Sequence, residues 1–106
     1  MARTGYVYDE RYLRHDPGSW HPERPDRLRV IHRRIVFSHL INELVLLPPE
    51  PASLEWLAKV HDPDYILRFQ RACQQRQTSL DTADCGICPE SFEVARLAVG
   101  GVFAAA

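Results

Sequence analysis

The chain has 106 residues, enough for one small domain with a core, and its 13 basic and 14 acidic side chains nearly cancel. A net charge of −1 gives no strong field for nucleic acid or an anionic membrane surface, so we expect neither partner. No apolar run approaches the ~20 residues of a membrane span, and three cysteines are too few for a disulfide framework. A cytoplasmic protein with reduced thiols is therefore predicted.

The first half of the chain predicts a strand, a loop and a helix. Residues 4–8 (TGYVY) combine β-branched and aromatic side chains, which predicts a short, largely buried opening strand. Residues 9–25 hold three prolines and a glycine among many charges and predict an irregular surface loop. The apolar spacing predicts a helix from residue 26 to about residue 47, where a group of prolines ends it. The LVLL run just before those prolines fits a second strand equally well.

The second half of the chain predicts three helices. Ser53 is an N-cap candidate for a short helix over residues 54–60, and Asp62 followed by Pro63 predicts the start of a helix over residues 64–76. Residues 80–87 (LDTADCGI) predict a loop, and Pro89 suits the first position of a last helix. The sum is four helices with one strand, or two strands if the LVLL alternative holds.

This inventory is a poor independent fold. A lone strand needs neighbours for its backbone groups, and an apolar helix without a C-cap needs a surface to cover. We expect residues 1–106 to be the N-terminal part of one domain that continues beyond Ala106 and supplies both.

Three segments resemble one enzyme superfamily in the same order along the chain. HDPGSWHPERPDRL (residues 15–28), LEWLAKVHDPDYI (residues 54–66) and DTADCGICPESFEVARLAVGG (residues 81–101) are similar to the motifs of histone deacetylases, acetoin utilisation proteins and acetylpolyamine amidohydrolases. The His-Pro-Glu loop and the Cys-Pro-x-Ser-Phe sequence are shared with the bacterial, class II-like branch. Together the segments cover nearly the whole chain.

The resemblance implies an arginase/deacetylase-like α/β fold, in which a central, mostly parallel sheet is flanked by helices. It also implies a zinc-dependent deacetylase acting on acetyl-lysine or an acetylated polyamine. The family carries its zinc ligands and catalytic residues on later strands, and the present sequence contains neither Gly-His-His nor Asp-x-His. No catalytic or metal-ligating residue is assigned within the chain, and the fragment alone is expected to be inactive.

Three residues are predicted to bind substrate or product through the resemblance. Arg27 matches a family arginine of an inner channel, where a guanidinium fork suits a small carboxylate such as acetate. Asp84 matches a rim carboxylate that accepts hydrogen bonds from the backbone of an acetyl-lysine peptide, although neighbouring Asp81 leaves the register open. His21 lies in the opening loop, which is expected to border the mouth of the active site.

Other side chains allow alternative interpretations. His15, His21, Cys85 and Cys88 have the ligand types of a structural zinc site, and the alternative is two packed thiols beside a loop. The sequence leaves metal binding by the two cysteines open. We interpret His61 as a structural residue, exposed Trp20 as part of a substrate entrance, and Trp56 as a core residue.

Two further hypotheses compete with the enzyme. A non-catalytic binding module or pseudo-enzyme would keep the fold for recognition only, and sequence beyond Ala106 would reveal it by lacking zinc ligands. A small, free-standing α-rich interaction protein would instead fold cooperatively as residues 1–106 alone.

Overall fold

Two short parallel strands bring the start of the chain beside its middle. In the computed structural model, which describes residues 3–106, β1 (Thr4–Tyr6) pairs with β2 (Leu44–Leu46) so that Thr4 lies opposite Leu44. Parallel strands need a crossover connection, and the intervening helix supplies it. The second strand in the LVLL run is confirmed. The prediction of a largely buried first strand was wrong, because only β2 pairs with β1 in the described region and Thr4 and Gly5 are exposed.

The crossover helix is shorter than the sequence predicts. α1 (Pro25–Phe37) begins with a proline, whose missing N–H costs nothing at that position, and follows a 3-10 helix at Glu10–Arg14. It ends where His39 adopts a left-handed backbone conformation with φ of 65°. That conformation closes many helices but is usually supplied by Gly or Asn. A histidine in this role carries no sequence signal, so the predicted helix ran ten residues too far.

The next two helices start where the sequence places them. α2 (Leu54–Leu57) is a single turn, so the prediction of residues 54–60 was too long, and Ser53 makes no side-chain capping hydrogen bond. α3 (Pro63–Gln74) starts at the predicted cap and ends two residues before the predicted end. The Asp62 carboxylate accepts a hydrogen bond from the Asp64 N–H at 2.8 Å, which satisfies a backbone donor at the helix start.

A β-hairpin replaces the loop predicted over residues 80–87. β3 (Ser79–Leu80) pairs antiparallel with β4 (Thr82–Gly86), and Asp81 turns the chain between them with φ of 64°. Asp tolerates this left-handed backbone better than most residues. The polar residues that suggested a loop therefore form a tight turn and an exposed strand.

The last helix packs on α3 and the hairpin. α4 (Ser91–Ala105) begins two residues after Pro89, so the prediction of Pro89 at its first position was wrong. Phe69 of α3 meets Phe92 of α4 edge to face, with ring centroids 5.4 Å apart. The core beneath this contact consists of side chains from α3, α4 and the hairpin: Ile66, Ala72, Cys73, Leu80, Ile87 and Phe92.

The proline-rich segment before α2 lies directly on α4. Pro49 is fully buried, and the Ala52 N–H donates to the Arg96 carbonyl at 3.0 Å while the Arg96 side chain donates to the Ala52 carbonyl at 2.9 Å. Gly100 of α4 faces the Glu50 carbonyl so closely that no side chain fits there.

Trp56 is not a core residue. Its side chain is 51% exposed and packs at a tilt on Phe103, itself 47% exposed, so the core prediction was wrong. Helical spacing correctly placed Trp56 on the apolar face of α2, but within residues 3–106 no further layer covers that face. None of the helices in this range has the length and apolar character needed to cross a bilayer.

Candidate functional site

An apolar groove separates the opening loop from the exposed face of α4. Its volume is about 750 Å³, and it runs from β1 along Val94, Ala98 and Val102 of α4. The end of the groove nearest the hairpin carries its polar side chains, among them His15, Glu23, Ser91 and Cys85. A groove with a mainly apolar lining is typical of a ligand cavity or of a surface that further polypeptide covers.

His21 joins the opening loop to the hairpin. Its Nδ1 accepts a hydrogen bond from the Glu23 N–H at 3.1 Å, and its Nε2 therefore carries the proton that is donated to the Asp84 carbonyl at 2.8 Å. The structure thus brings together two of the three residues predicted to bind substrate. The contact of His21 is with the backbone of Asp84, because the nearer carboxylate oxygen lies 3.8 Å away.

The two aspartates of the hairpin differ in what they contact. Asp81 forms an ion pair with Arg68, with 3.2 Å between Oδ2 and the guanidinium. The Asp84 side chain is 100% exposed and projects from the middle of β4. Of the two candidates for a rim carboxylate, Asp84 is therefore the more accessible, since the Asp81 side chain is 50% exposed and already paired with Arg68.

His15 anchors the other end of the opening loop. Its Nδ1 hydrogen-bonds with the buried Ser91 hydroxyl at 2.7 Å, and its Nε2 lies 3.2 Å from the Glu23 carboxylate. The Ser91 oxygen also accepts from the Cys88 N–H at 2.8 Å, and the Cys88 sulfur accepts from the Asp16 N–H at 3.3 Å. The opening loop is consequently fixed to the start of α4 by side-chain contacts.

The structural zinc site that the sequence left open, with two histidines and two cysteines, does not form within residues 3–106. Zinc needs three or four nitrogen, sulfur or oxygen ligands that converge on one point. No group of three or more His, Cys, Asp and Glu side chains within residues 3–106 converges in this way. His15 and His21 instead make the separate contacts described above. These residues do not fit a zinc ion.

The remaining predicted residues lie apart from this contact. Arg27 is exposed on the first turn of α1 and does not line the groove, so its predicted role with acetate stays a prediction. Trp20 is 93% exposed and borders a second, smaller cavity with Pro17 and Arg76. His61 is exposed before α3, with its ring 5.7 Å from that of Tyr65.

Burial perturbs two titratable groups, one that lines the groove and one in the core. Burial raises the pKa of Tyr12, whose hydroxyl donates to the Leu97 carbonyl of α4 at 3.0 Å. Burial also raises the pKa of the Cys73 thiol in the core. Both groups are neutral at physiological pH, and Cys73, Cys85 and Cys88 are free thiols.

Sequence reasoning missed the roles of Glu23 and Ser91. Glu23 supplies an N–H to His21 and a carboxylate to His15, so one residue serves both histidines of the loop. The Ser91 hydroxyl hydrogen-bonds with the His15 ring and accepts a hydrogen bond from the Cys88 N–H. Glu23 ends the His-Pro-Glu motif, and Ser91 ends the Cys-Pro-x-Ser motif. The two motifs were interpreted only as family markers, although they were the signal in the sequence that could have identified these residues.

Comparison with known proteins gives one family. The family described as "Histone deacetylase domain" matches residues 21–106. A protein of Archaeoglobus fulgidus named "Probable deacetylase" is 35% identical over 105 residues, which cover 97% of this chain and 29% of that protein. Human "Histone deacetylase 1" is 29% identical over 110 residues, covering 95% of this chain and 23% of that protein.

A solved structure agrees with the sequence matches. The "HDA15 HD domain" superposes with a TM-score of 0.86 at 28% sequence identity, covering 94% of this chain and 29% of that one. The chain spans less than a third of the length of the curated relatives cited here. The arginase/deacetylase-like α/β fold expected from the sequence is confirmed for this part of the domain.

Proposed function

Since the chain belongs to the histone deacetylase domain family, we propose that it forms the N-terminal part of one deacetylase domain acting on acetyl-lysine or an acetylated small amine, such as a polyamine. The reaction is amide hydrolysis, in which water attacks the acetyl carbon, the C–N bond breaks, and the products are acetate and a free amine. We further propose that the enzyme depends on zinc, held by ligands in polypeptide beyond Ala106. Residues 1–106 alone are then inactive.

The exposed Asp84 carboxylate is the observation that carries this proposal. It projects from β4 without a partner within hydrogen-bonding distance in residues 3–106, while its backbone is tied to His21. A peptide laid across the rim can donate its N–H groups to such a carboxylate, and charge-assisted hydrogen bonds orient a substrate strongly. Arg27 is proposed to bind the acetate product, because its guanidinium can donate two parallel hydrogen bonds to a carboxylate.

The shape of the chain supports the proposal that it is part of a larger domain. Its accessible surface is 7755 Å², whereas a compact protein of 12.2 kDa exposes about 6,100 Å². The groove, the open edges of the β1–β2 pair and the apolar face of α4 are the surfaces on which further polypeptide would pack.

Replacement of Asp84 tests the proposal in the full-length protein. We expect D84N to raise KM for an acetyl-lysine peptide about tenfold or more, because an ionic acceptor is replaced by a neutral amide. kcat should change little, since the lost contact also exists in the ground state. Acetate release is the measurement. D64N is the matched control, because Asp64 is an exposed carboxylate at the start of α3.

The same assay separates the enzyme from the non-catalytic alternative. A full-length protein that binds acetylated peptides but releases no acetate, with or without added zinc, would be a binding module or pseudo-enzyme. Activity that survives D84N with an unchanged KM would remove Asp84 from the substrate site and leave the reaction in place.

A further inference from the structure

We infer that His21 is a positioning residue that holds the backbone of Asp84 in place, rather than a residue that contacts substrate itself. This inference rests on the proposed function, because it takes Asp84 as the acceptor for substrate. The His21 side chain is only 19% exposed, whereas that of Asp84 is fully exposed. A bound peptide would therefore meet the carboxylate and find the imidazole largely covered.

The ring of His21 is held on both sides by backbone groups. Nδ1 accepts from the Glu23 N–H at 3.1 Å, and Nε2 donates to the Asp84 carbonyl at 2.8 Å. The first contact fixes the proton on Nε2, so the imidazole acts as a donor toward the hairpin. Both nitrogens are used, and the Asp84 carboxylate at 3.8 Å stays available for another partner.

The hairpin needs this outside support at Asp84. β3 has only two residues, and they lie opposite Gly86 and Thr82 of β4, with a register shift between them. Asp84 has no Cα partner in that register, so β3 does not fix the middle of β4. The contact from the opening loop is what restrains the backbone that carries the carboxylate. Loss of the contact should let the carboxylate sample more positions and weaken substrate binding without removing any group that touches substrate.

Two amide substitutions separate the two contacts of His21. Gln places its NH₂ group near the position of Nε2, so H21Q should keep the hydrogen bond to the Asp84 carbonyl. Asn is shorter and places its carbonyl near the position of Nδ1, so H21N should keep the contact with Glu23 and lose the one with Asp84. The exposed, distant His39 provides a control in H39N, because Asn also tolerates the left-handed backbone at that position.

The first measurement is hydrogen exchange in a peptide spanning residues 82–86 of the full-length protein without substrate. H21N should exchange faster than wild type there, and H21Q and H39N should match wild type.

The second measurement is steady-state kinetics on an acetyl-lysine peptide and on a small acetylated amine without a peptide backbone. H21N should raise KM for the peptide roughly three- to tenfold with kcat unchanged, and H21Q should restore it. KM for the small amine should not move.

A double substitution tests whether His21 acts through Asp84. In a D84N background, H21N should add little to KM, because the carboxylate that it positions is already gone. Full additivity of the two effects, or equal KM changes in H21N and H21Q, would overturn the inference. Wild-type exchange in H21N together with normal deacetylation would overturn the positioning role alone. Faster exchange in H21N than in wild type, together with a wild-type protein that releases no acetate, would instead show that the proposed function has failed.

Discussion

Asp9 shows how a single carboxylate fixes the start of the opening loop. Its oxygens accept from the Arg11 N–H at 2.8 Å and from the Arg11 guanidinium at 2.9 and 3.0 Å, and that guanidinium also donates to the Pro49 carbonyl at 3.2 Å. The hydrogen bond from the Arg11 side chain, followed by the one from its backbone N–H, lowers the pKa of Asp9. The Arg11 side chain, held by Asp9, thereby connects the 3-10 helix to the segment that lies on α4.

We expect D9N to destabilise the full-length protein by about 1 kcal/mol at pH 7. The folded-state pKa of Asp9 is lowered, so its contribution is complete above the ordinary carboxyl range near pH ~4 and is lost as pH falls through the lower folded pKa. The difference in unfolding free energy between wild type and D9N should therefore become smaller in acid. Urea denaturation at pH 7 and pH 3 measures it, with E43Q as the control. A gap that widens in acid would contradict the assigned pKa direction.

At the scale of the elements, the contact between α4 and the segment before α2 depends on the absence of a side chain. We predict that G100A destabilises the full-length protein by about 1–3 kcal/mol, because its methyl group would overlap the Glu50 carbonyl and force the segment away from the helix. Ala would otherwise favour the helix over Gly, so a gain in stability would show that the segment is free to move. Denaturation midpoints measure the effect.

E93Q is the matched control for G100A on the same helix. Glu93 is exposed and forms an ion pair with Arg96 at 3.2 Å. Exposed pairs of this kind contribute little to stability, so the substitution should cost less than about 0.5 kcal/mol. A cost as large as that of G100A would assign the effect to α4 in general and not to the contact with Glu50.

The sequence predicts an element well where its end is set by local chemistry. Asp62 and Pro63 define the start of α3 by a side-chain cap and a fixed φ, and both act within three residues. The end of α1 depends on His39 adopting a left-handed backbone conformation, which the residue type does not predict. The hairpin strands likewise depend on partners, because polar residues such as Asp84 favour a loop until a neighbouring strand is available.

The sequence named His21 and Asp84 as candidate residues and did not predict the contact between them. Asp84 and His21 were identified through family motifs that lie 63 positions apart, and nothing in the linear sequence says that the imidazole reaches the Asp84 carbonyl. The exposure of Trp56 was missed for a related reason, since a helical pattern shows which face is apolar but not whether anything covers it.

At the scale of the whole molecule, the chain is a flat slab. Its principal extents are 44 × 33 × 17 Å and its radius of gyration is 15.3 Å, against about 13 Å for a compact domain of this length. Several large apolar side chains remain exposed, including Trp20, Val30, Phe37, Val60 and Val102. Apolar exposure on this scale marks a surface that packs against other polypeptide.

We expect residues 1–106 expressed alone to aggregate or to unfold without a sharp transition, and to bind a hydrophobic dye. The buried core is small, and the uncovered apolar surface favours association. Circular dichroism during thermal unfolding and dye fluorescence are the measurements, with the full-length protein as the reference. A monomer with one cooperative transition would favour the small, free-standing interaction protein instead.

The pairing of β1 with β2 also constrains the order of events during synthesis. Thr4 has no strand partner until Leu44 has been made, an interval of 40 positions from the difference of the two numbers. At about 5–20 residues per second, a ribosome needs about 2–8 s to add that length, and the exit tunnel delays its appearance further. For those seconds the TGY edge lacks the β2 strand that pairs with it in the fold, and an unpaired strand edge is open to pairing with other strands.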